Sequence, residues 1–158
     1  MIFDIGLGHY DRYLQMGNRM AMDLMKRENF SSGAPLEEKI GYSRTVKIGN
    51  LVFIGGTTTT NSKGIVEGEG DAYLQTRIIL EKIEKALKKA GARLSEVYRV
   101  RIYVTDISRS EEYMRAYSEF FKKVKPVTIL AEVKALVRPA HLVEIEADAI
   151  IGSYLVRK

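Results

Sequence analysis

Three acids, Glu144, Glu146 and Asp148, recur at every second position of LVEIEADAIIG, residues 142–152. Crowded, half-buried carboxylates titrate nearer neutrality and can exchange protons with a substrate or orient a water. Val143, Ile145, Ala147 and Ala149 fill the alternate positions, so the run reads as a strand with one apolar and one acidic face. A solvated face, a ligand site and a seam between subunits all fit that pattern. For Glu146 and Asp148 structural pairing is the stronger reading. Gly55–Gly56 closes an apolar, β-branched run. Such a pair either lets a ligand approach the backbone or forms a turn or bulge. The GEGDAY segment is Gly-rich ahead of a helix, but it lacks the Lys of a phosphate loop and reads as a loop and cap.

Composition narrows the chemistry. The 158 residues are 46% hydrophobic and 28% charged, enough for one domain with a real core. With no Cys there is no disulfide, thiolate metal site or Cys nucleophile. His9 and His141 lie far apart, which weighs against a metal centre, and nothing calls for an organic cofactor. The net charge of +5 and pI near 9.3 invite a nucleic-acid reading. The basic residues are dispersed among acids, however, and the densest run, FFKKVKP, suits a helix C-terminus. No apolar run reaches the length of a membrane span, and the N-terminus lacks a signal-peptide pattern. The expectation is a cytoplasmic protein with neither membrane nor nucleic acid as partner.

The elements that must position these residues follow from periodicity. Residues 1–25 carry apolar positions at helical spacing, so residues 1–34 are expected to be a helical extension and linker preceding a domain over 35–158. Residues 30–39 are rich in turn formers and read as an irregular arm. Two β-branched runs flank Gly49-Asn50, the signature of a hairpin. Ile79, Leu80, Ile83, Leu87 and Ala90 make the stripe of a helix capped by Asp71 and stopped at Gly91. Residues 95–107 give a strand. A second helix follows, with Ser108 and Glu111 as a capping box and Met114, Tyr117, Phe121 and Val124 as its buried stripe. Two strands end the chain.

The order β-β-(β)-α-β-α-β-β predicts an α+β fold, a mixed sheet with two helices on one face. Alternation then places Glu144, Glu146 and Asp148 on the uncovered face. The same reasoning puts Arg99, Arg101 and Tyr103 there, with Thr128, Leu130 and Glu132. A face of mixed charge suits either solvent or a wet subunit interface.

The stretches GYSRTVKIGNLVFIGGTT, GDAYLQTRIILEKIEKALKKAGARLSEVYRVRIYVTDIS, YSEFF, KPVTILAEVKAL and LVEIEADAI together resemble the YjgF/RidA (Rid) family, over about residues 41–151. The resemblance implies a chorismate-mutase-like fold and a homotrimer with small-molecule clefts between subunits. It implies hydrolysis of reactive enamines and imines to a carbonyl product and ammonia, without cofactor or metal. By the same resemblance Tyr42 is the cleft tyrosine, Gly55 and Gly56 bring backbone amides to the ligand, and Glu144 orders the catalytic water. The family's carboxylate-binding Arg falls on Thr128, with Leu130 two positions on. A Thr hydroxyl cannot neutralise a carboxylate, so the chain resembles a subgroup whose chemistry is less defined. Arg101, expected on the same face as Thr128 and Glu144, is a candidate for the missing charge; pairing with a seam acid is the stronger alternative. The leading expectation is an imine or enamine deaminase with Glu144 catalytic and Tyr42, Gly55, Gly56, Thr128, Leu130 and Arg101 binding the ligand. A non-catalytic ligand-binding or regulatory trimer is the alternative, and an RNA-acting protein stands behind both.

Overall fold

The computed structural model describes residues 14–17 and 25–156. The helix expected over 1–25 therefore lies largely outside the described residues; 14–17 are helical and exposed. Six strands form one mixed sheet: β1 (Arg27–Phe30), β2 (Thr45–Ile48), β3 (Leu51–Thr57), β4 (Val97–Val104), β5 (Val127–Glu132) and β6 (Val143–Ile150). Their spatial order is β1-β2-β3-β6-β4-β5, with only the β4–β5 pair parallel. Helices α2 (Ala72–Lys89) and α3 (Ser110–Phe121) cover one face, as expected from their stripes.

The hairpin forms at Gly49-Asn50, with Ile48 opposite Leu51. Gly49 has φ 56°, the positive value that favours Gly at the first central position of a type II′ turn. Asp71 caps α2 by accepting from the Leu74 amide at 2.8 Å, and Gly91 leaves the helix at φ 84°. Ile79, Leu80, Ile83 and Leu87 pack on Val52, Ile54, Val100, Ile102, Val104, Val143, Ile145 and Ala147, all buried. This core fixes which face of β4 and β6 points inward.

Four local expectations change. The arm at 30–39 contains a short helix, α1 (Pro35–Ile40), with Pro at its start and Gly41 as a left-handed C-cap, φ 85°. Proline needs no amide partner at a helix start, and Gly41 returns its N–H to the Glu37 carbonyl at 2.9 Å. Before it, residues 27–30 pair with β2 as an edge strand, so the sheet begins ahead of residue 35. At α3, Asp106 rather than Ser108 does the capping, accepting from the Ser108 amide at 3.0 Å in a 3-10 turn, and the helix starts at Ser110. The deepest residues of α3 are accordingly Tyr113, Ala116 and Phe121, while Met114, Tyr117 and Val124 pack at the core's margin.

The fourth change concerns β5. Its register sets Thr128 beside Val100, Leu130 beside Ile102 and Glu132 beside Val104, all core-facing positions of β4. Neighbours in register share a face, so Thr128, Leu130 and Glu132 lie on the helix side. Val127, Ile129 and Ala131 take the open face instead. The Thr128 hydroxyl meets Tyr117 Oη at 2.5 Å, Leu130 packs on the core, and Glu132 accepts from the Ile107 amide at 2.8 Å. Alternation could not decide this strand, because apolar residues occupy both of its parities.

Candidate functional site

Glu144, Glu146 and Asp148 do lie on the open face, opposite Tyr103, Arg101 and Arg99 of β4. Arg101 is taken up there. Its Nη1 lies 3.4 Å from Glu146 and its Nη2 3.1 Å from Asp148. It shares a face with Glu144 but not with Thr128, so within one subunit it cannot stand in for a charge missing at Thr128. Both residues line a shallow groove of ≈ 220 Å³ over β4 and β5, with Arg99, Val100, Val127 and Ile129.

The geometry at Glu144 comes from an irregularity in β3. Ile54 pairs with Ala147 and Thr57 with Ile145, so Gly55 and Gly56 together oppose the single residue Glu146. That is a β-bulge, which turns a strand and re-aims nearby groups. Gly56 leaves the space the carboxyl occupies: a Cβ there would sit 2.1 Å from Glu144 Oε1 and 3.0 Å from its Cδ, so the carboxyl would have to move. The carboxyl thus lies directly against the bulge backbone. Burial pushes the Glu144 carboxyl above its usual range; Arg44 opposes the rise and Glu146 adds to it. The Gly55 amide donates to the Arg44 carbonyl at 2.9 Å, which removes one of the two amides expected to face a ligand.

Arg44 escaped the sequence reading. Its Nη1 donates to the Gly55 carbonyl at 3.2 Å, to the Gly56 carbonyl and to Thr57 Oγ1 at 3.2 Å. Thr57 Oγ1 donates in turn to the Gly55 carbonyl at 2.8 Å. The guanidinium stands over the Tyr42 ring, 5.7 Å from its centroid, and its Nε lies 3.9 Å from Glu37. Glu37 is 4% exposed. Burial alone would raise its pKa, but hydrogen bonds from Ser31 and Ser32 and the charge of Arg44 together hold it below the usual range. A signal for Arg44 existed: the two-residue hairpin turn, counted outward, places it opposite Gly55. Glu37 has none, because the turn formers of residues 30–39 give no helical stripe.

Within one chain the structure therefore gathers Tyr42, Gly55, Gly56 and Glu144 with Arg44 and Glu37, and sets Thr128 and Leu130 apart from them on the helix side of β5. Among the described residues no group of three or more His, Asp or Glu side chains is arranged to hold a metal ion. No described helix is long and apolar enough to cross a membrane.

The family model described as Endoribonuclease L-PSP matches residues 34–151. The chain belongs to the YjgF/RutC/Rid family. A RutC family protein of Pyrococcus horikoshii is 36% identical over 126 residues, 79% of this chain and 98% of that protein. An uncharacterized protein of Streptomyces coelicolor is 33% identical over 122 residues, 77% of this chain and 90% of its own length. Among solved structures, a member of the YjgF/YER057c/UK114 family from Mycobacterium tuberculosis is 48% identical. It aligns with a TM-score of 0.73 over 80% of this chain and 100% of that one. A Yersinia pestis structure assigned to the Rid protein family is 26% identical, with a TM-score of 0.69 over 80% of this chain and 100% of that chain. For this Rid-family chain the matched span holds every site residue named above.

Proposed function

We propose that this chain is a cytoplasmic homotrimeric hydrolase of small reactive imines and enamines, with Glu144 as its acid–base group. The observation that carries the reading is the Glu144 carboxyl pressed against the Gly56 bulge, where burial raises its pKa and so favours its protonated form more than at an exposed site. Each step balances. A water oxygen bonds to the imine carbon while the C=N π pair moves to nitrogen, and Glu144 takes the water's proton. Protonated Glu144 then passes that proton to the nitrogen of the resulting carbinolamine. Glu144, ionised again, takes the hydroxyl proton and delivers it to the amino nitrogen, and the C–N bond then breaks with its electron pair leaving on ammonia as the oxygen pair closes the carbonyl. For an enamine, protonated Glu144 first protonates the β-carbon. Tyr42 holds the substrate, and a neighbouring copy closes the cleft. No metal or organic cofactor takes part in these steps.

The test is ammonia release from imines freshly generated from amino acids. Wild-type protein is expected to accelerate it, and Glu144→Gln is expected to lower kcat by ~100-fold or more. Ligand-dependent thermal stabilisation without turnover would instead support a binding or regulatory trimer. Cleavage of RNA that survives Glu144→Gln would displace the reading altogether.

A further inference from the structure

Arg44 has more contacts than a structural ion pair needs, and they converge on one place. A single guanidinium nitrogen binds both carbonyls of the bulge and the Thr57 hydroxyl, while Glu144 Oε1 occupies the space over Gly56 Cα. Two functional groups thus meet at one glycine, one from the residue just before β2 and one from β6. Behind Arg44 stands Glu37, itself fixed by the Ser32 amide at 3.1 Å and by the Ser32 hydroxyl. A buried, hydrogen-bonded carboxylate is a rigid anchor for a guanidinium.

We propose that Arg44, anchored by Glu37, is the positioning residue of this cleft: it clamps the Gly55–Gly56 bulge against Glu144 and supplies the positive charge that Glu144 faces. The inference rests on the acid–base role given to Glu144 above. The charged and titratable groups around Glu144 are Arg44 just ahead of β2, Glu146 on its own strand and Tyr103 beside it on β4, with Glu37 of α1 behind Arg44. Arg101 is paired with Glu146 and Asp148. Arg44 is therefore the cation whose removal Glu144 should feel. Burial and Glu146 both push the carboxyl up, and Arg44 alone among these neighbours pulls it down.

The experiment separates clamp from charge and needs no substrate for its main reading. Protein carrying carboxyl-labelled Glu is titrated by NMR, with the Glu144 signal assigned by its loss in Glu144→Gln. Arg44→Met is expected to move the Glu144 midpoint upward. Arg44→Lys is expected to hold it nearer the wild-type value, because a cation is retained. Neither variant restores the three-way fork, so both are expected to lose ~10- to 100-fold in kcat through misplacement of the bulge. A Glu144 midpoint unchanged in a folded Arg44→Met protein overturns the inference. If Arg44→Met does not fold, Glu37→Gln loosens the anchor while keeping Arg44, and an unchanged midpoint and pH profile there overturn it equally. Absence of imine turnover in wild-type protein would defeat the hydrolase reading while leaving the titration to decide the role of Arg44.

Discussion

At the scale of single residues, Glu144 and Gly56 make a lock that can be tested directly. Gly56 does not need its conformational freedom, since it lacks a positive φ; it needs the absence of a Cβ. The group a Cβ would strike is the mobile end of Glu144, so Gly56→Ala is expected to fold with stability within about 1 kcal/mol of wild type. The displaced carboxyl should cost ~100-fold in kcat. Full activity in that variant would show that the carboxyl's placement against the bulge is immaterial. Glu144 was legible in the sequence because alternation along β6 is clean and its apolar partners are unmistakable. Arg101 was legible only as one of two alternatives, and the pairing with Glu146 and Asp148 settles its contacts. Arg44 was missed because its significance lies in what the bulge does to the opposite strand, and a bulge leaves no mark in alternation beyond a pair of glycines.

At the scale of elements, the fold's positioning work rests on α2 and on the loop that follows β3. Asp71→Ala removes the side-chain acceptor at the start of α2 and is expected to cost ~1 kcal/mol in urea unfolding. Ile83→Ala, in the middle of the buried stripe, is expected to cost ~2–5 kcal/mol. The larger loss should come from the core residue, and the reverse order would mean that α2 is held by its ends rather than its face. His141 gives a pH signature. It is 3% exposed and shares a hydrogen bond of 2.8 Å with Thr60 Oγ1. Burial lowers its pKa, and the charges of Arg138 and Lys82 lower it further. As pH falls below about 6.5 the unfolded chain takes up the proton first, so the native state loses stability until His141 itself titrates. Thermal unfolding of wild type and His141→Gln across pH 7 to 5 should show a steeper acid-side decline in wild type; parallel curves would contradict this. Helix α2 and the hairpin were readable because stripe, cap and turn agree. Alternation puts Thr128 and Leu130 on the opposite face from the one they take, because β5 is an edge strand with apolar residues on both sides and only its pairing with β4 fixes the face.

At the scale of the whole molecule, α2 and α3 leave one face of the sheet uncovered. Acids and arginines occupy its middle, while Phe53 (37% exposed) lies toward one edge and Val127 (62%) and Ile129 (54%) lie on the other. Two helices cannot cover both faces of a six-stranded sheet, and the sequence showed that much through element count alone. A subunit contact on that face would leave no mark in the sequence, because a charged, wet interface has the composition of ordinary surface. In the proposed trimer, copies of the chain meet on that face and Glu144 works only in the cleft they close. The most direct test is sedimentation equilibrium of wild type and Ile129→Glu, run alongside ammonia release on the same samples. The account predicts a wild-type mass three times the 17.9 kDa of one chain, and a variant that falls to single-chain mass and loses activity together. A wild-type protein that sediments as one chain and still hydrolyses imines at full rate would contradict it.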